Sequence, residues 1–177
     1  MRFFLIPGSE QGTDDLQAAI AGDKVFIRVI GRGSFKVSAT LKQFIAEVSE
    51  DHPISTVVID MGECLGLDST FMGVLAGLSG RLQQKNQLLE LINLSEKNQR
   101  LLTTLGVDQV ISYYSDEHGH AAPDQSAQSL PTDTATKKEM AETALQAHEE
   151  LVQLCEENRP RFKRVIEYLK ADIDRLD

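Results

Sequence analysis

The stretch Thr56 to Leu82, TVVIDMGECLGLDSTFMGVLAGLSGRL, constrains the fold most, because it holds a strand, a tight loop and a helix in one continuous run. Val57-Val58-Ile59 is a short β-branched run suited to a strand covered on both faces. Phe71, Val74, Leu75, Leu78 and Leu82 recur at helical spacing and form an apolar stripe about 100° wide. Gly62 and Gly66 punctuate the connection. Asp68, Ser69 and Thr70 place side-chain oxygens where a helix N-terminus has unpaired backbone N–H groups.

The opposite side of this helix carries Gly73, Ala76, Gly77 and Gly80, where a surface helix would carry Lys and Glu. Each interior glycine costs about 1 kcal/mol relative to alanine. Such a face implies close approach by another element, either a further layer of the same chain or a partner protein.

The flanking segments alternate between strand and helix patterns. Phe3-Phe4-Leu5-Ile6 reads as a first strand stopped by Pro7-Gly8, and Thr13-Asp14-Asp15 as the cap of a short helix with Leu16, Ala19 and Ile20 inward, ended by Gly22. Lys24 to Ile30 reads as a strand, and Ser38 to Glu50 as a helix with Leu41, Phe44, Ile45 and Val48 on one face. Gln87 to Leu94 is a further strand, and Ser95 caps a helix that bears Leu101, Leu102 and Leu105 and ends at Gly106. Val107 to Tyr114 makes the last strand. This order predicts an α/β layer structure, a small mixed but largely parallel sheet flanked by helices, over residues 1–114.

Composition changes at Ser115. Residues 115–136 are small, polar and proline-containing, which predicts a flexible linker. From Lys137 to the end, residues 137–177, amphipathic helical pattern returns. Met140, Ala144, Ala147, Leu151 and Leu154 mark one stripe; Phe162, Val165, Ile166, Leu169, Ile173 and Leu176 mark a second, and Pro160 kinks one helix or starts another. Two such helices must dock on the domain, pair in a homodimer or bind another protein.

Charge and composition exclude several functions. A net charge of −9 argues against a nucleic-acid surface. No apolar run reaches the length of about 18 residues that a membrane span needs, so a cytoplasmic location is expected. Cys64 and Cys155 are far apart and fit neither a disulfide framework nor a zinc site. Cys64 reads as a small hydrophobe, with a reactive thiol as the alternative. His118 and His120 lie in the linker without further ligands, so neither a metal nor a cofactor is expected. Enzyme motifs are equally scarce. A Ser69 nucleophile needs a positioned base, but His52 lies before the central strand and no GxSxG surrounds the serine. No GxxxxGK[ST] or GxGxxG phosphate motif occurs.

With these residues in place, the stretch Lys24 to Tyr114 resembles the STAS domain, typified by bacterial anti-sigma factor antagonists. The resemblance rests on the strand ending at Gly31, on Val57 to Asp60, on Asp68-Ser69-Thr70 leading through Gly73-Val74-Leu75, and on Leu101 to Val107. It implies a non-enzymatic module of signal transduction and transcription regulation, in which Ser69 is phosphorylated and Thr70 is a second candidate acceptor. The implied partners are an anti-sigma factor that is also a serine kinase, and a PP2C-type phosphatase. Asp68, Ser69, Thr70, Gly73, Ala76 and Gly77 are the candidate partner-binding residues. A STAS interaction subunit of a transport or other multiprotein complex, never phosphorylated, is the alternative. The sequence departs from the family pattern at Phe71, where a glycine is usual, and at Ser34, where an acidic residue is frequent.

Overall fold

The computed structural model describes residues 14–114 and 127–176. Four parallel strands make up the larger part of its sheet: β2 (Lys24–Gly33), β3 (Thr56–Asp60), β5 (Leu88–Ile92) and, at one edge, β6 (Ser112–Tyr114). β1 (Asp15–Ala21) runs antiparallel to β2, and β7 (Gln128–Ser129) antiparallel to β1. β4 (Cys64–Leu67) pairs parallel with the far end of β2. The spatial order is β6-β5-β3-β2-β1-β7, with β4 off this path, which is the mixed, largely parallel sheet expected.

Helix α1 (Phe35–Asp51) follows β2, and α2 (Ser69–Gln84) follows β4. The two pack side by side, burying Leu41 and Ile45 from one and Phe71, Leu75, Leu78 and Leu82 from the other. Val57 and Ile59 are fully buried, as a strand in the middle of a covered sheet requires. α3 (Glu96–Thr104) is capped by Ser95, whose hydroxyl accepts from the Asn98 amide, and the chain leaves it through Gly106 at φ +77°. The C-terminal helices α4 (Lys137–Leu154) and α5 (Asn158–Leu176) form a hairpin. α4 lies over both α1 and α2 and buries Ala144, Ala147 and Leu151; α5 packs on α4 as the outermost layer.

Several expectations are corrected. Leu16 to Ile20 belongs to a strand, not a short helix: β2 offers it a ladder partner at every position, and Gly22 at φ +61° makes the hairpin turn. The loop before Asp68 contains β4, and the expected last strand starts only at Ser112, because Val107–Gln109 forms a 3-10 turn. Within the expected linker, residues 128–129 form β7, which adds to the edge of β1, and the Leu130 amide donates to the Leu16 carbonyl at 2.8 Å. Pro160 starts a second helix, standing in the first turn of α5 where a missing N–H costs nothing. Residues Phe3 to Ile6, His118 and His120 lie outside the described residues. Among the described residues no helix is long and apolar enough to cross a membrane.

Candidate functional site

The site is built where β4 turns into α2. Asp68 is the N-cap of α2, with extended backbone, and its Oδ1 accepts from the Phe71 amide at 2.9 Å. Its Oδ2 accepts from the Phe35 amide at 2.7 Å, so one carboxylate ties together the starts of α1 and α2. Ser69 is therefore the first residue of α2, held at the positive end of the helix dipole. Thr70 is buried and less available than Ser69.

The two departures from the family pattern are absorbed locally. Phe71 is fully buried, and its ring lies over Gly33, where an added Cβ would come within 2.9 Å of it. The bulky side chain is matched by a missing one across the contact, so α2 still begins at Ser69. Ser34 donates its hydroxyl to Asp14 Oδ2 at 2.9 Å, and Asp14 Oδ1 accepts from the Arg32 amide at 3.0 Å. A carboxylate thus stands at this corner after all, delivered from the start of the neighbouring strand.

The small-residue face of α2 is covered by α4. A Cβ on Gly73 would fall 2.2 Å from the Ala147 carbonyl oxygen, so the two helix backbones touch and no side chain fits between them. Ala76 is buried, and a Cβ on Gly77 would meet the ends of the Glu150 and Arg81 side chains, an ion pair at 3.6 Å. Gly80 differs: it is exposed, with nothing within 4 Å of an added Cβ. Own-chain packing therefore accounts for Gly73 and Gly77 but not for Gly80.

α4 also delivers a residue that sequence reasoning missed. His148 Nε2 lies 2.9 Å from Ser69 Oγ, and its Nδ1 lies 2.6 Å from the Ala144 carbonyl. A carbonyl can only accept, so Nδ1 carries the proton, and Ser69 donates its hydroxyl hydrogen to a neutral Nε2. Burial of the ring, 4% exposed, pushes the His148 pKa below 6.5, partly offset by the Ala144 carbonyl and the Asp68 carboxylate. Phe162 of α5 closes the site, its ring edge-on to the imidazole at 4.9 Å. This is the polarity of a nucleophile and its base, so the expectation that Ser69 lacks a positioned base is corrected. The pair lies at the edge of a helix contact, however, with His148 buried, Ser69 half-buried and the α4 backbone seated on α2. The available signal was a histidine beside the Ala144, Ala147 and Leu151 stripe, 79 residues from Ser69.

The Cys64 thiol is buried and its pKa is raised by that burial, which makes it the small hydrophobe rather than a reactive group. Among the described residues no cluster of His, Cys, Asp and Glu is arranged to hold a metal. Two exposed apolar side chains, Phe35 (48%) and Leu65 (72%), flank Asp68 at the start of α1 and on β4.

Comparison with known proteins gives a consistent result. Solved structures that share the fold include a putative anti-sigma factor antagonist from Thermotoga maritima, 15% identical, TM-score 0.50, over 56% of this chain and 85% of that one. Another is the anti-sigma factor antagonist SpoIIAA of Bacillus in its unphosphorylated form, 16% identical, TM-score 0.52, over 58% and 90%. No curated protein matched the sequence. The profile of the STAS domain matches residues 15–120, well over half of the chain and all of the sheet except β7, and the protein belongs to the STAS domain family.

Proposed function

We propose that this chain is a non-enzymatic, cytoplasmic regulatory binding module of the anti-sigma factor antagonist type, switched by reversible phosphorylation of Ser69. The observation that carries this reading is the position of Ser69, first residue of a helix whose adjoining face is built of glycine and alanine. A phosphate there adds about −1.5 to −2 charges beside the Asp68 carboxylate. The helix N-terminus stabilises it in part, while a protein docked over Gly73, Ala76 and Gly77 meets new charge and bulk together. The partner is an anti-sigma factor with serine kinase activity, and a PP2C-type phosphatase resets the switch. Phe35 and Leu65 extend the contact surface beside Asp68. Ser69 is the acceptor, in preference to the buried Thr70.

The test is intact-mass and phosphopeptide analysis of the protein purified from its native host across growth and stress conditions. Partial phosphate on the peptide containing Ser69 supports the reading, and its absence under every condition refutes it. A second reading, a STAS interaction subunit that is never modified, draws on the hydrogen bond that already engages the Ser69 hydroxyl. Stable co-purification with one complex, together with unmodified Ser69, selects it.

A further inference from the structure

The surface that a partner would need is occupied by the protein itself. Gly73 is in backbone contact with Ala147, Ser69 is hydrogen-bonded to His148, and Glu150 lies over Gly77. Both ends of the occupant are fastened to the domain. Ahead of α4, β7 pairs with β1 and the Thr40 hydroxyl donates to the Pro131 carbonyl. Beyond it, the buried Asn158 donates from Nδ2 to the carbonyls of Leu105 at 3.0 Å and Leu151 at 2.8 Å. A helix tethered on both sides rebinds as an intramolecular ligand, at an effective concentration on the order of millimolar.

We propose that α4 is a built-in competitor for the partner surface of α2, docked while the Ser69 hydroxyl is free and undocked when that oxygen carries a phosphate. This inference rests on the reading of Ser69 as the modified residue and adds how the modification is sensed. The chemistry lies in the hydrogen bond. Phosphorylation forms an Oγ–P bond as the terminal P–O bond of the kinase's nucleoside triphosphate breaks, and the hydroxyl proton leaves with the kinase's base. Oγ then has no hydrogen to donate, and phosphate oxygens face the lone pair of a neutral Nε2 whose ring is fixed by the Ala144 carbonyl. Direct backbone contact at Gly73 leaves no space in which α4 could shift by a small amount to admit the group.

The consequence distinguishes this chain from a domain with an open face. A partner of the unmodified protein must displace α4, so its apparent affinity falls by the fraction of molecules with the helix undocked. The best-fitting partner presents a helix with a small residue at the Gly73 crossing, as α4 does with Ala147.

Hydrogen exchange measured by mass spectrometry on the full chain tests the proposal without any partner. S69E and S69D put a carboxylate against His148, S69A removes the donor without adding charge, and A147E forces the Gly73 crossing apart. Amides of α4 are expected to exchange at least about tenfold faster in S69E, S69D and A147E, with S69A within about threefold of wild type and β3 unchanged in all four. Wild-type protection of α4 in both acidic variants at position 69 overturns the proposal. So does loss of protection in β3 together with α4 in both, since a competitor must move alone. Failure to find phosphate on Ser69 in cells refutes the phosphorylation reading and leaves this measurement intact; protected α4 in S69E and S69D refutes the competitor and leaves phosphorylation intact.

Discussion

The two long faces of α2 are built from opposite materials. Toward the sheet it presents Phe71, Leu75, Leu78 and Leu82, each at most 2% exposed. Toward α4 it presents Gly73 and Gly77, with Ser69 at the leading end. The first face is held by burial of large side chains, worth about 1.5–3 kcal/mol for each one fully buried. α2 itself contributes little side-chain area to the second, which depends on close backbone approach and on the part-buried Ser69–His148 pair. Such a contact is specific in shape and sensitive to a single added group, which suits a surface that must open. The other is suited to remaining closed.

This contrast is sharpened by changes on each face. Leu75→Ala should cost about 2–5 kcal/mol, because it leaves a cavity in the common core. Urea denaturation should show one cooperative transition moved to lower urea, with β3 and α4 weakened together. Gly73→Ala should act on the other face alone. The new methyl meets the Ala147 carbonyl, a backbone atom that cannot turn aside, and overpacking costs about 1–3 kcal/mol. Alanine also favours the helix by about 1 kcal/mol. Faster exchange in α4 with unchanged protection in β3 is therefore expected.

The polar pair adds a pH dependence whose sign follows from burial. His148 titrates below 6.5 in the docked state and near it once undocked, so the undocked state binds more protons as the solution acidifies. The groups that face the ring are the Ala144 carbonyl of its own helix, Ser69 and the Asp68 carboxylate of α2, and Phe162 of α5. Docking of α4 should be strongest above pH 6.5 and weaken as pH falls from there through the folded-state pKa. His148→Gln should flatten this dependence in an exchange series over pH 5 to 8, corrected for intrinsic amide rates, a window of about three units around the usual histidine value. Gly80 gives the smallest effect. With open space around its α-carbon, Gly80→Ala should stabilise the protein by about 0.5–1 kcal/mol in thermal melts, where the same change at Gly73 disrupts a contact.

The same contrast explains what could be read from the chain. Val57 to Ile59 and the stripe from Phe71 to Leu82 were legible because each pattern reports its own burial. The unusual composition at Gly73 and Gly77 announced a close approach, yet not the element making it, since Ala147 and His148 are reached only through the tertiary fold. Leu16 and Ala19 fit helical spacing between a capping cluster and Gly22, and the ladder with β2 overrode that local signal. β4 and β7, four and two residues long, carry too little periodicity to be seen. Asp14 replaces the acidic residue absent at Ser34 from 20 positions away, a compensation invisible without the β1–β2 pairing.

The most direct test of the account is NMR titration of the His148 imidazole in the full unmodified chain, assigned by comparison with His148→Gln. A docked α4 requires a neutral ring protonated at Nδ1, a pKa below 6.5, and a change in the Nε2 shift on Ser69→Ala. A pKa at or above 6.5, with shifts indifferent to Ser69, would place the imidazole in solvent and contradict a docked α4.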